Sequence, residues 1–245
     1  MRVRRIVLLT VTLVLFSLPV VTFKHHMCGG AEGDEDLRRS AEMMDKVART
    51  TFAPVYPALA KQIVDDTGIS EGVCVELGCG SGALGLALLK VTKLVVYAVD
   101  INPYAVAIAQ RNAVEAGLST RFYPMLGDAL NLPFKDGFAD LVVSRGMIPF
   151  IKEKSIVFKE AYRVLKSGGV AYIGGGFSRM FDEETVLKIV RQSVWGEPGK
   201  LPMRRIGKKE FEEQLKAAGI LDYKIVEDRY PSGESYGLWV MFRKR

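Results

Sequence analysis

Residues 73–82 read Val-Cys-Val-Glu-Leu-Gly-Cys-Gly-Ser-Gly, so a short β-branched segment runs directly into three alternating glycines. We expect Val73–Leu77 to form a buried strand and Ala83–Lys90 to form the helix that follows. Glycine adopts positive φ without steric cost and lets a ligand approach the backbone closely. The next helix offers free N–H groups at its N-terminus. The segment therefore predicts a cofactor site at the end of a parallel strand.

Strands and helices alternate on both sides of this turn. Further strands are predicted at 94–99, 121–126, 139–144, 170–173, 223–228 and 237–242, and further helices at 40–49, 56–66, 103–116, 153–165, 183–194 and 208–218. Such alternation indicates a mainly parallel sheet with right-handed crossovers. No helix separates the last two strands, so we expect them to be antiparallel. The expected fold is α/β: a doubly wound, mostly parallel seven-stranded sheet with an antiparallel C-terminal strand, plus an N-terminal hydrophobic helix.

Charge and cysteine content exclude some classes of function. Four of the six net positive charges lie in residues 1–24, which carry no acid, so the remainder is nearly balanced. A nucleic-acid binder usually carries its excess charge on the folded domain, and we expect no nucleic-acid partner. The three cysteines, Cys28, Cys74 and Cys79, have no zinc-type spacing, and we expect no metal site.

Two cofactor patterns overlap in the glycine-rich turn. Residues 80–85 match G-x-G-x-x-G, which is typical of dinucleotide binding, whereas residues 76–82 match E-x-G-x-G-x-G at every position. Asp100 ends the second predicted strand, where an acid accepts hydrogen bonds from ribose hydroxyls. Because both patterns predict such an acid, Asp100 indicates a nucleoside but does not choose between the two cofactors.

Later motifs make the choice. Gly-Asp at 127–128 is followed by Leu-Pro-Phe at 132–134, Phe-Ala-Asp-Leu-Val at 138–142 and Arg-Val-Leu-Lys-Ser-Gly-Gly at 163–169. With the glycine-rich turn, this order resembles the class I S-adenosylmethionine-dependent methyltransferases, in particular the ubiquinone/menaquinone-biosynthesis group. The resemblance covers about residues 72–176. The sequence departs from the family pattern at two positions. Asp140 lies one residue later than the Asp that usually follows the Phe directly, and Ser167 replaces the usual proline before the glycine pair.

The resemblance implies S-adenosyl-L-methionine as cofactor and a site of ten residues. These are Glu76, Gly78, Gly80, Gly82, Asp100, Ile101, Asp128, Ala129, Ser144 and Arg145. Glu76 would approach the methionine ammonium group, and the glycines would form the floor. Asp100 would bind the ribose and Ile101 would pack on the adenine. Asp128 would accept from the adenine amino group beside the Ala129 N–H, with Ser144 and Arg145 lining the cofactor.

The N-terminus predicts a membrane attachment. An apolar run at 6–23 follows three arginines, and we interpret residues 1–26 as an anchor or signal-like helix, 27–39 as a linker and 40–245 as the methyltransferase domain. Bulky residues after the run favour an uncleaved anchor over a secretory signal, and a start at Met27 or Met43 stays an alternative. The arginines favour a cytoplasmic N-terminus. The cofactor is made in the cytoplasm, however, and we therefore expect the domain on that side.

The predicted reaction is methyl transfer to a small acceptor. If residues 1–26 anchor the chain to a membrane, a lipid-soluble acceptor is favoured over a soluble metabolite. The fourth strand ends in Ser-Arg-Gly-Met at 144–147, without the (D/N)PP(Y/F) sequence associated with amino-group methylation of adenine or glutamine. No catalytic base is predicted: the only histidines are His25 and His26, and Tyr56, Tyr104, Glu160 and Tyr236 stay open. The alternatives are an NAD(P)-dependent oxidoreductase and a non-catalytic, membrane-tethered binding module.

Overall fold

The computed structural model describes residues 31–192, 206–228 and 230–245. The strands are β1 (Glu71–Leu77), β2 (Lys93–Asp100), β3 (Phe122–Leu126), β4 (Ala139–Arg145), β5 (Leu165–Gly176), β6 (Tyr223–Glu227) and β7 (Gly237–Arg243). The α-helices are α1 (Ala31–Arg49), α2 (Val55–Thr67), α3 (Ala83–Val91), α4 (Pro103–Glu115), α5 (Lys154–Val164), α6 (Glu183–Gln192) and α7 (Lys208–Ala217). A short 3-10 helix, Ile148–Phe150, follows β4.

The seven strands form one sheet in the order β3-β2-β1-β4-β5-β7-β6. Neighbouring strands from β3 to β5 are parallel, whereas β7 runs antiparallel to both β5 and β6. This confirms the predicted mostly parallel sheet with an antiparallel C-terminal strand. The strand order reverses between β1 and β4, and such a switch point opens a crevice at the carboxyl ends of the strands.

Helices cover both faces of the sheet. One buried cluster joins α2, α3 and α4 to the first face, and a second joins α5 and α7 to the other. A third apolar cluster, here called the cap cluster, gathers residues from α1, α2, α6 and the segments next to β5 and β7. Its buried members are Val47, Phe52, Val55, Phe177, Val186 and Ile189, with Tyr56, Phe181, Val190, Tyr230 and Tyr236 packed against them. The first two clusters confirm a doubly wound arrangement.

The first helix corrects the predicted boundaries. We expected a linker over 27–39 and a helix from Ser40, but α1 is already helical at Ala31, so the linker prediction is wrong for residues 31–39. Partners distant in sequence explain the difference. The Leu37 carbonyl accepts from Asn102 Nδ2 at 2.9 Å, and Asp34 accepts from the Tyr104 hydroxyl at 2.6 Å. Tertiary contacts with α4 thus stabilise a segment whose local sequence indicates a loop.

The end of α5 is the other clear difference. The predicted strand at 170–173 is longer in the structure, because β5 begins at Leu165 and reaches Gly176. It lies between β4 and β7 and pairs with both, which extends it beyond its β-branched centre. The predicted hydrophobic helix falls in residues 1–30, which lie outside the described residues. Within the described ranges, no helix has the length and apolarity needed to cross a bilayer.

Candidate functional site

The glycine-rich turn joins β1 to α3 at the switch point of the sheet. Gly78, Gly80 and Gly82 have φ values of 62°, 52° and 78°, in the left-handed region that disfavours other residues. A Cβ at Gly80 would meet no atom within 4 Å, so this part of the turn faces open space. The strand end is open, lined by glycines and next to a helix N-terminus. Such an arrangement can receive either a nucleoside cofactor without phosphates or a dinucleotide.

The two outer glycines are required by packing. A Cβ at Gly78 would lie 2.7 Å from the Met147 side chain, and one at Gly82 would lie 2.7 Å from the Phe122 ring. The turn is therefore held between the segment after β4 and the first residue of β3. Sequence reasoning did not identify Met147 as a contact of the turn, because only the adjacency of β1 and β4 brings it there.

Backbone N–H groups hold the Asp100 carboxylate against the turn. Its Oδ2 accepts from the Gly80 N–H at 2.7 Å, and its Oδ1 accepts from the Asn102 N–H at 2.9 Å. Burial raises the pKa of this carboxyl, and the backbone N–H groups oppose that shift. The adjacent Ile101 leaves 55% of its surface exposed, although it is a large apolar residue. The structure thus brings a carboxylate and an exposed apolar side chain together beside the turn.

Asp128 and Ala129 lie on the other side of Asp100. Leu126 pairs with Asp100 in the sheet, and the Gly127 N–H donates to the Asp100 carbonyl at 2.9 Å. Asp128 Oδ1 accepts from the Leu130 N–H at 2.8 Å, so this residue forms the local turn that Asp commonly makes. Asp128 is partly exposed and lies beyond the carboxyl end of β3, next to the end of β2.

The later motifs hold this loop in place. Arg163 of α5 donates to the Leu132 carbonyl at 3.1 Å and to the Phe134 carbonyl at 2.8 Å. It also pairs with Glu160 and Asp136 at 2.7 and 2.9 Å. Arg163 lowers the pKa of the Glu160 carboxyl, whose Oε2 also accepts from the Leu132 N–H. Glu160 is therefore part of a structural clasp, which argues against its use as a base.

Glu76 lies beneath the turn and is almost fully buried, with 3% of its surface exposed. Its Oε2 accepts from the Gly85 N–H at 3.1 Å, and a Cβ at Gly85 would lie 2.5 Å from that oxygen. Burial raises the pKa of Glu76 to about 8; the Gly85 N–H opposes this shift and the nearby Asp100 adds to it. A cationic group placed next to Glu76 would favour its ionised form.

Ser144 and Arg145 end β4, the strand on the other side of the switch point. The Ser144 hydroxyl is fully buried and donates to the Leu77 carbonyl at 2.8 Å, which ties β4 to β1. Arg145 extends in the opposite direction: its Nε donates to the Gly176 carbonyl at 3.2 Å. The structure therefore places Ser144 behind the turn and the Arg145 side chain towards β5.

Of the residues left open as bases, Tyr56 contacts a predicted site residue, Arg145. Its hydroxyl lies 3.4 Å from Arg145 Nη1. Tyr104 bonds Asp34 on the outer side of α4, and Tyr236 belongs to the cap cluster. A further polar contact, missed from the sequence, links α1 to the turn: Asn112 Nδ2 donates to the Ser81 carbonyl at 2.9 Å and to Asp45 at 2.8 Å.

Two open clefts lie away from the glycine turn. One, of about 500 Å³, is lined by Thr50, Thr51, Pro54, Thr185, Lys188, Ile189 and Gln192. The other, of about 300 Å³, lies between α1 and α4. Neither is lined by a predicted cofactor residue. Among the described residues, no group of three or more His, Cys, Asp or Glu side chains is arranged to hold a metal ion.

Comparison with known proteins identifies the family. A methyltransferase-domain profile matches residues 75–173. A crystal structure of a candidate S-adenosyl-L-methionine-dependent methyltransferase from Methanococcus maripaludis is 34% identical and has a TM-score of 0.76. That match covers 84% of this chain and 93% of the archaeal one. This structural match extends well beyond residues 75–173 and includes nearly all of the Methanococcus chain.

Matches to curated enzymes are more partial. The erythromycin 3''-O-methyltransferase of Saccharopolyspora erythraea is 30% identical over 68% of this chain and 56% of its own length. The sterol 24-C-methyltransferase of Aspergillus fumigatus is 33% identical over 48% of this chain and 32% of its own. The chain thus spans between about a third and three fifths of these relatives.

The methyltransferase-domain match and the match to nearly all of the Methanococcus chain agree on one class of enzyme and on its cofactor, S-adenosyl-L-methionine. None of these observations favours the oxidoreductase or the non-catalytic module. The chain belongs to the S-adenosylmethionine-dependent methyltransferases.

Proposed function

We propose that this enzyme transfers a methyl group to a small acceptor with an apolar body, and that the predicted residues hold its cofactor. The observation that carries the second part of this proposal is the Asp100 carboxylate beside the open glycine turn, which accepts two backbone hydrogen bonds. Asp100 binds the ribose hydroxyls, Ile101 packs on the adenine, and Asp128 with the Ala129 N–H holds the adenine edge. Gly78, Gly80 and Gly82 form the floor.

Glu76 and Ser144 act less directly. Glu76 is buried under the turn, so it faces the methionine end from below and favours the cationic ammonium group once ionised. The Ser144 hydroxyl already donates to Leu77, and this residue therefore contributes its backbone and fixes the distance between β1 and β4.

Bound S-adenosyl-L-methionine supplies a methyl group that is already activated on a sulfonium. The chain therefore has to align the acceptor and exclude water, and this alignment accounts for much of the rate. The cap cluster suits that task, because it places aromatic and aliphatic side chains beyond the ends of β5 and β7, next to β4. An acceptor seated under it would lose contact with water over its apolar part.

The acceptor that we propose is lipid-soluble, of the kind handled by the ubiquinone/menaquinone-biosynthesis group. Two sequence features support this: the order of motifs from 127 to 169 and the apolar run at 6–23. In this proposal, residues 1–26 anchor the chain and the catalytic domain lies on the cytoplasmic side.

Methyl-labelled S-adenosyl-L-methionine offers a test with the purified full-length protein. Membrane and water-soluble extracts are supplied separately as acceptors, and label is counted in organic and aqueous phases. We expect label in the organic phase of the membrane reaction. Label confined to water-soluble products would overturn the lipid-soluble acceptor. Binding of S-adenosylhomocysteine without label in either extract would favour a non-catalytic binding module.

A further inference from the structure

Arg145 occupies an unusual position at the end of β4. Its Cζ lies 5.1 Å from the centroid of the Phe52 ring and 5.0 Å from that of the Tyr56 ring. Its Nε donates to the Gly176 carbonyl at 3.2 Å, and Nη1 lies 3.4 Å from the Tyr56 hydroxyl. The guanidinium is thus held by two aromatic rings and one carbonyl oxygen, which fix its direction while leaving the Nη2 hydrogens unused among the described residues.

Other partly buried arginines of the chain have fuller sets of partners. Arg179 forms a two-pronged ion pair with Asp66 at 2.6 and 2.7 Å, and Arg163 pairs with two carboxylates. Arg121 donates to three backbone carbonyls. No Asp or Glu within residues 31–192, 206–228 and 230–245 lies within 4.0 Å of the Arg145 guanidinium. Among the residues that the structure describes, Arg145 therefore has no carboxylate partner for its charge and keeps unused donors.

The strand order places this charge on the acceptor side of the sheet. The cofactor residues follow β1, β2 and β3, whereas the Arg145 side chain leans the other way, from β4 towards β5. The next residue, Gly146, has φ of 81°, and a Cβ there would meet no atom within 4 Å. Open space therefore lies at Gly146, and Arg145 itself is partly exposed, with the Phe52 and Tyr56 rings beside its guanidinium.

A guanidinium flanked by aromatic rings favours a planar anion. Carboxylates match its fork of N–H donors, and two parallel charge-assisted hydrogen bonds give both affinity and orientation. The neighbouring rings displace water and so strengthen the electrostatic attraction. They also offer a surface for the apolar body of a ligand, which a simple inorganic anion would not use.

We propose that Arg145 binds a carboxylate group of the methyl acceptor, which is therefore a small apolar or aromatic acid. This inference rests on the proposed function, since it assigns the acceptor of the same site. It moves the Arg145 side chain from the cofactor to the acceptor. The ion pair fixes one end of the acceptor at β4, and the cap cluster covers the rest.

Benzoate and benzamide test this assignment, since they share a ring and differ in the charged group. Calorimetric titration of each into protein saturated with S-adenosylhomocysteine should show benzoate binding at least tenfold tighter than benzamide. Arg145→Met should weaken benzoate binding at least tenfold and leave benzamide within about twofold. Arg145→Lys should retain part of the preference for benzoate, because it keeps the charge without the planar fork.

Two control variants separate a direct role from a structural one. Arg39→Met removes an exposed arginine whose one ion pair among the described residues is with Asp36 in α1, and it should leave benzoate binding unchanged. Tyr56→Phe keeps the ring and removes the hydroxyl, so benzoate affinity should change less than threefold. If Arg145→Met does not fold, the wild-type preference and the Arg145→Lys variant still decide the question.

Three results would overturn the proposal. They are equal binding of benzoate and benzamide, benzoate binding that survives Arg145→Met, and a tenfold or greater loss of S-adenosylhomocysteine affinity in Arg145→Met. The last result would assign Arg145 to the carboxylate of the cofactor. Failure of the proposed function gives a different result, because the labelling assay would then yield no labelled product in the organic phase, whatever the preference of the protein between benzoate and benzamide.

Discussion

The two halves of the proposed site, one for the cofactor and one for the acceptor, are built in different ways. On the cofactor side, which comprises residues 78–82, 100–102 and 127–129, backbone N–H groups bond both oxygens of Asp100. On the acceptor side, which comprises residues 145–147, 176–177 and the cap cluster, Arg145 is held by rings and one carbonyl. The first half is preorganised by local backbone geometry. The second is assembled from side chains distant in sequence, and this difference suits a constant cofactor and a variable acceptor.

The largest effect should follow from Asp100→Ala, which removes the central group of the cofactor side. The lost charge-assisted bonds to the ribose cost about 1.5–3 kcal/mol. That corresponds to a roughly 10- to 150-fold weaker affinity for S-adenosylhomocysteine. Calorimetry on folded variants measures it.

Asp222→Ala is the matched control, because that aspartate is 73% exposed and, within the described part of the chain, forms an ion pair only with Arg245 near the C-terminus. Its cofactor affinity should equal that of the wild type. If Asp100→Ala binds S-adenosylhomocysteine with an affinity within twofold of wild type, Asp100 does not bind the ribose. The contrast between the two halves would then be lost as well.

The pH dependence of the free energy of unfolding should distinguish Glu76 from the residues of both halves. The pKa of Glu76 in the folded protein, about 8, lies above its ordinary value of 4.5, so ionisation is disfavoured by folding. The free energy of unfolding should therefore fall as pH rises between these two values. Glu76→Gln cannot ionise and should lose this fall, as denaturant titrations at several pH values would show.

The same residue should couple cofactor binding to proton release. The cationic end of the cofactor favours ionised Glu76. The ratio of the wild-type affinity for S-adenosylhomocysteine to that of Glu76→Gln should therefore rise with pH, by up to about tenfold per pH unit, and level off above about pH 8. The ratio cancels titration of the ligand itself. A ratio independent of pH would mean that Glu76 does not face the cationic end.

A smaller change in affinity is expected for Arg163→Met, which opens the clasp on the loop before β4. Two carbonyl bonds and two ion pairs are lost, and we expect about 1–3 kcal/mol lower stability in denaturant titrations. Cofactor affinity should fall less than tenfold, since Asp128 keeps its own turn. The exposed Lys135→Met on the same loop is the control, and equal stability of the two variants would contradict the clasp.

Local signals made the cofactor side predictable from the sequence. The strand positions, the glycine turn and Asp100 depend on hydrophobic patterning and on glycines at fixed spacing, which a single segment displays. Asn102 was within reach too, since an Asn before a proline is a helix N-cap signal, and its side chain accepts from the Tyr104 N–H. The antiparallel β7 followed from the short connection before it.

The acceptor side depended on contacts that no local pattern displays. Phe52 and Tyr56 reach Arg145 from about 90 residues away, and the sequence predicts only that they are aromatic. The start of α1 was missed for the same reason: Asp34 and the Leu37 carbonyl are bonded by Tyr104 and Asn102, about 65 to 70 residues further along the chain. Contacts with partners so distant in sequence escape periodicity analysis.

The central claim is that the glycine turn, with Asp100 and Asp128 beside it, receives an adenosyl sulfonium cofactor. The most direct measurement is calorimetric titration of the full-length protein with S-adenosylhomocysteine and, separately, with NAD under the same conditions. We predict binding of one S-adenosylhomocysteine per chain and no measurable heat of binding with NAD. Saturable binding of NAD without binding of S-adenosylhomocysteine would contradict the account.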